Sequence, residues 1–158
     1  MITDDGSHDF DFLHGSWRVH NRKLRQRLAG STDWIEFEGR AVERPLWDGQ
    51  ANIEEWEADM PSGRVRGLAL RLFNPHSRQW SIHWSGSDTG TLDNPVTGEF
   101  RERRGEFYGT DTCDGRQILA RFVWTSNGAD VCQWEQAFSP DGGRTWETNW
   151  IMEFSRAR

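Results

Sequence analysis

Lysine is almost missing from this chain: Lys23 is the only one, and the rest of the positive charge is arginine. Arginine-biased coding produces the same pattern, so the scarcity carries no functional assignment by itself. Cysteine occurs twice, at Cys113 and Cys132, far apart and in no metal-ligand spacing. Without a secretory leader, such a pair points to reduced thiols rather than a disulfide framework. Residues 1–8 are polar and acidic and lack the apolar core of a signal peptide, and no apolar run approaches a membrane span. The expected compartment is the cytoplasm. An excess of positive charge is also lacking. A net charge of -6 and a pI of about 5.4 argue against nucleic acid or an anionic membrane as partner.

Aromatic residues are abundant. Ten Trp and nine Phe in 158 residues bring large buried areas per side chain, so a hydrophobic fraction of 35% understates the core of what reads as one domain. Turn signals recur at short intervals after Trp17: Gly30-Ser31, Asp48-Gly49, Ser62-Gly63, Asn74-Pro75, Asn94-Pro95, Asp114-Gly115, Asn127-Gly128 and Asp141-Gly142-Gly143. The segments between them have strand length, and none carries a helical stripe beyond the opening turn. About nine or ten antiparallel strands close into an up-and-down β-barrel.

Alternation assigns the faces. Trp80, Ile82 and Trp84 oppose Ser81, His83 and Ser85. Cys132, Trp134, Gln136 and Phe138 share a face, as do Ile118, Ala120, Phe122 and Trp124. In the last strand the same reading groups Trp146, Thr148, Trp150, Met152 and Phe154. Leu68, Leu70 and Leu72 line up opposite Ala69 and Arg71, which puts the leucines on the dry face. Gly86–Gly98, rich in Gly, Asp, Thr and Pro, reads as a loop at the barrel mouth.

The organising stretch is Asp9–Arg25. A short apolar cluster, Phe10, Phe12 and Leu13, follows a candidate cap at Ser7 and precedes Gly15-Ser16-Trp17, which opens a strand. Gly-x-Trp here resembles the first-strand signature of the lipocalin and calycin superfamily. The resemblance implies an N-terminal helical turn closing one barrel end, a plugging Trp17, and Arg156 packed across it. With Phe107-Tyr108-Gly109, Arg121-Phe122-x-Trp124 and the terminal Asp-Gly-Gly-Arg-Thr-Trp, the chain resembles a bacterial lipocalin-like family whose motifs imply a fold and no reaction. Ser139–Trp146 is similar to the Asp-box of sialidase-type propellers; a single copy reads as a hairpin turn whose carboxylate bonds nearby backbone. Nitrobindin-type haem barrels are also ten-stranded calycins, but their iron ligand is a histidine near the C-terminus, and here none follows His83.

The reading of the interior follows. Trp56, Trp84, Trp124, Trp134 and Trp150 form apolar or stacking walls, and Glu54 and Gln136 orient a small apolar or aromatic molecule. Glu54 shares the face of Trp56 unless a bulge swaps it for Glu55, and Arg71 or Gln136 is its expected partner. His83 faces solvent by parity and becomes a titratable pocket group only if the other face is interior. No metal-ligand spacing, phosphate loop or Ser-His-Asp set is visible, so neither a metal nor another cofactor is expected. Three competing readings remain: proton transfer by Glu54 or His83; haem binding; and a filled barrel acting as an interaction module, with Leu119 and Val123 supporting a homodimer.

Overall fold

The computed structural model describes residues 4–158. Ten antiparallel strands follow one another around a closed barrel, and the first pairs with the last. They are β1 (Gly15–Leu24), β2 (Trp34–Leu46), β3 (Ala51–Met60), β4 (Gly63–Asn74), β5 (Gln79–Gly86), β6 (Val96–Arg101), β7 (Arg104–Cys113), β8 (Arg116–Ser126), β9 (Val131–Ser139) and β10 (Glu147–Arg156). Closure leaves no free sheet edge, so every strand has two neighbours and one dry face. Among the described residues no helix is long and apolar enough to cross a membrane.

The opening segment closes one end of the barrel. It is a 3-10 turn, Asp11–Leu13, whose N-cap position is Phe10 rather than the expected Ser7; no side chain caps it. Phe10 enters the barrel and meets Trp80, Phe100 and Phe107 at ring-centroid distances of 5.0, 4.9 and 5.7 Å. Gly15 has φ of +117°, a region open chiefly to glycine, and this turn drops Trp17 into the floor. Trp17 Nε1 donates to Leu13 O at 2.8 Å. The Arg156 guanidinium lies 4.1 Å from the Trp17 ring centroid and donates to His14 O and Phe12 O. One arginine thus ties the last strand to both the floor tryptophan and the turn beneath it.

Most inward faces match the alternation, with two exceptions. Thr148 pairs with Ala137 but Trp150 pairs with Gln136, so Asn149 forms a bulge. The bulge reverses parity: Trp150, Met152 and Phe154 face inward, whereas Trp146 lies on the outer wall against Tyr108, with Arg121 4.6 Å from its ring centroid. In β4 the buried side is Gly67, Ala69, Arg71 and Phe73, so Leu68, Leu70 and Leu72 face outward. The deciding residue there is Arg71, which has buried partners across the barrel wall. Val123 is 1% exposed and Leu119 half-buried, so neither is an exposed apolar site for a second copy. Among the described residues, the large exposed apolar side chains lie elsewhere, at Val42, Leu46, Trp47, Leu68, Leu92, Tyr108 and Val131.

The seam between β5 and β6 is short: only Trp80↔Gly98, Ser81↔Thr97 and Ile82↔Val96 pair. Beyond Ile82 the chain between the two strands covers β5 through one bridge, Ser85↔Leu92, and the Asp93 N to Trp84 O bond of 2.8 Å. The loop expected at the mouth is therefore at the mouth, beside Trp84. Cys113 and Cys132 are buried free thiols, and burial pushes Cys132 up to about 12.

Candidate functional site

The interior holds a cavity of about 60 Å³, walled by Trp84, Phe122, Trp124, Trp134 and Trp150 and reaching Asp93, Asn94 and Asp111 at the mouth. A larger concavity of about 610 Å³ lies outside the barrel along Val42, Leu68 and Ser85. That one is a broad surface depression rimmed by the Arg40–Glu57 and Arg66–Glu57 ion pairs. The enclosed site is the interior one.

The tryptophans pack edge to face: Trp56 on Trp84 at 5.7 Å, Trp56 on Trp150 at 5.8 Å, and Trp134 on Trp150 at 5.6 Å. Trp56 is inward and buried but stands behind Trp84 and Trp150, outside the cavity wall. Trp84 rests on Gly67: a Cβ there would lie 2.1 Å from Trp84 Cη2. Glycine is what lets the indole lie flat against the strand. Trp150 is fixed by Nε1 donation to Asn21 Oδ1 at 3.0 Å.

Polar groups gather toward the closed end. β3 runs in unbroken register with both neighbours, so Glu54 points inward and Glu55 outward, where it pairs with Arg44. Arg71 donates to Glu54 Oε1 at 3.1 Å and to Asn52 Oδ1 at 2.9 Å, and both members of the ion pair are almost fully buried. Arg71 also lies 5.2 Å from the Trp124 ring centroid and 5.3 Å from that of Phe10. Gln136 is inward but partners Asn149, the bulge residue, through Nε2 to Oδ1 at 2.8 Å. Arg71 Nε, Trp124 Nε1 and Asn52 Nδ2 are buried donors without a partner among the described residues. Such groups are uncommon in folded interiors, because each forfeits its hydration.

His83 is on the outer face of β5, bonded to Ser81 Oγ at 3.1 Å, and is therefore not a pocket residue. Among the described residues, no histidine lines the cavity. The group missed by sequence reading is Glu43. It stands opposite Glu54 in register, is 2% exposed, and neither carboxylate oxygen has a partner among the described residues. Burial raises it to about 7, with Arg71 opposing and Glu54 and Asp11 adding to the rise. The parity of Phe37, Gly39 and Ala41 along β2 is the signal that leads to it. At the mouth, burial first and then Asp111 and Asp88 raise Asp93.

No family model and no curated protein matches the sequence. Among solved structures, the chain is similar to the S-type phycobiliprotein lyase CPES from Guillardia theta, with TM-score 0.63 and 14% identity over 94% of this chain and 90% of that one. It is also similar to a redesigned beta barrel, with TM-score 0.52 and 12% identity over 96% of each chain. At these identities the likeness concerns fold alone. The chain is an all-β, closed ten-stranded antiparallel barrel, lipocalin-like in fold.

Proposed function

We propose that the barrel binds a small apolar or aromatic molecule carrying a hydrogen-bond acceptor. The observation that carries this reading is the combination of an indole-lined cavity with buried, unpartnered donors on Arg71 and Trp124 beside it. Flat walls favour a ring, and the donors favour a carbonyl, ether or carboxylate oxygen. Glu54 then serves to hold Arg71 in place. Gln136, tied to Asn149, shapes the wall.

Size sets the condition for binding. A volume of about 60 Å³ holds a few waters, whereas a single aromatic ring needs roughly 150 Å³. Rotation of Trp84 away from Gly67 supplies the difference. That indole is half-buried and adjoins the short β5–β6 seam, where the wall is least supported. A similar barrel is by description a lyase, which supports reading such interiors as functional space. A second reading, proton transfer to the bound molecule, is favoured by Glu43, but Glu43 lies outside the cavity wall and acts only through Glu54 and Arg71.

Native mass spectrometry of the protein purified from its own cells, beside the denatured mass, tests the binding reading. Extra mass that disappears on denaturation is expected. A bare polypeptide that also takes up neither 1-naphthol nor cinnamyl alcohol overturns it.

A further inference from the structure

The loop after β5 folds back at the barrel mouth and is clamped between two strands. Asp93 N donates to Trp84 O at 2.8 Å, which ties the loop to β5. Asn94 Nδ2 donates to Thr110 O at 3.2 Å, which ties it to β7. Gly109 permits that second contact, since a Cβ there would lie 2.4 Å from Pro95 O. The clamp brings Asp93 and Asp111, the residue after Thr110, together in the wall of the interior cavity.

The charges in that wall do not cancel. At the inner end Arg71 and Glu54 form an ion pair of 3.1 Å. At the mouth, among the described residues, neither Asp93 nor Asp111 has a cationic nitrogen within the 4.0 Å of an ion pair. Burial, then Asp111 and Asp88, hold Asp93 above its ordinary 3.8, as expected of acids crowded without a counter-ion. Lys23 stands outside the cavity wall, its Nζ 4.2 Å from the Trp150 ring centroid, and Asp88 is the acid that favours its charge. One indole of this cavity thus already receives an ammonium. Arg71 Nε and Trp124 Nε1 are almost fully buried donors without a partner among the described residues, and both side chains line the same cavity. The cavity joins unmet donors, indole walls and two uncompensated carboxylates.

We infer that the ligand is an organic cation, an aromatic ring bearing an ammonium group, with the ring among the indoles and the positive charge at Asp93 and Asp111. The inference rests on the proposed binding reading, including its movement of Trp84, and adds the sign of the charge. Indole faces and carboxylates both attract an ammonium, so the two parts of the wall act in the same direction. A ligand with a carboxylate at the same place meets like charge from Asp93 and Asp111 and is rejected.

The test compares three probes that share one skeleton: cinnamylamine, protonated at neutral pH, cinnamyl alcohol and cinnamate. Calorimetric titration of the whole protein at pH 7 and low salt is expected to rank them in that order, the ammonium about tenfold tighter than the alcohol. Salt at 0.5 M should shrink the difference. In Asp93→Asn with Asp111→Asn the ratio of the two affinities is expected to fall toward one. That ratio is read within each protein, so a change in folding stability does not imitate the effect. Alcohol binding as tight as that of the ammonium overturns the inference and leaves the binding reading standing. An ammonium preference unchanged in the double variant overturns the assignment to these two acids. A preference that vanishes when calcium replaces sodium at equal ionic strength gives the acids to a metal ion instead and also overturns it. Binding of none of the three probes removes the cavity reading and the inference together.

Discussion

Replacing Glu43 by glutamine is expected to stabilise this protein, and only above mildly acidic pH. The carboxyl is raised from its ordinary 4.5 to about 7 by burial, with no hydrogen bond to either oxygen among the described residues. A folded value above the unfolded one means that folding favours the protonated form. Stability from this group is therefore fully present below pH 4.5 and is lost as pH rises toward about 7. At about 1.4 kcal/mol per pH unit, the interval corresponds to about 3 kcal/mol. A glutamine amide is neutral at every pH and escapes this loss. Urea denaturation of wild type and Glu43→Gln across pH 4 to 9 checks it. The variant is expected to gain on wild type through the interval, up to about 3 kcal/mol, and to hold that gain above pH 7. A difference between the two proteins that is flat across pH refutes the reasoning, because it places the ionised carboxylate in a solvated or paired site.

The remaining predictions concern the same interior and one hairpin. Arg71→Met leaves Glu54 buried and unpaired and is expected to cost about 3–5 kcal/mol, while Arg71→Met with Glu54→Met recovers most of it in the same denaturation assay. Gly67→Ala places a Cβ 2.1 Å from Trp84 Cη2. The indole must swing and the barrel remain folded, so its NMR side-chain signal shifts; an unmoved signal contradicts the packing. Bonds from the Thr145 hydroxyl and backbone amide, then Ser139 and Arg144, hold Asp141 down to about 2. Its contribution is present above 3.8 and lost as pH falls through about 2, and Asp141→Asn should speed amide exchange at Arg144 and Thr145.

Much of the fold is legible because an up-and-down barrel repeats one local rule: alternate, turn, alternate. Trp80, Ile82 and Trp84, and the run from Cys132 to Phe138, obey it and face inward. The floor pairing of Trp17 with Arg156 is legible too, through the resemblance of Gly15-Ser16-Trp17 to a known signature. What failed did so for physical reasons. A one-residue bulge at Asn149 sends Trp146 outside, and no local composition marks it. In β4 hydrophobicity misleads: three leucines cover the outer wall while Arg71 goes inside to meet Glu54 and Asn52. Glu43 escaped notice because it sits among Arg40, Arg44 and other charged residues that do face solvent, and only strand parity separates it from them.

The ten tryptophans make the central claim directly measurable, since each indole N–H gives its own NMR signal. Titration with 1-naphthol, followed by ¹H–¹⁵N spectra, is expected to shift the signals of Trp84, Trp124, Trp134 and Trp150 saturably. Trp47 and Trp146, on the outside, should stay in place. Saturable shifts confined to Trp47 and Trp146, or no saturable shift at any indole, would contradict a ligand site inside the barrel.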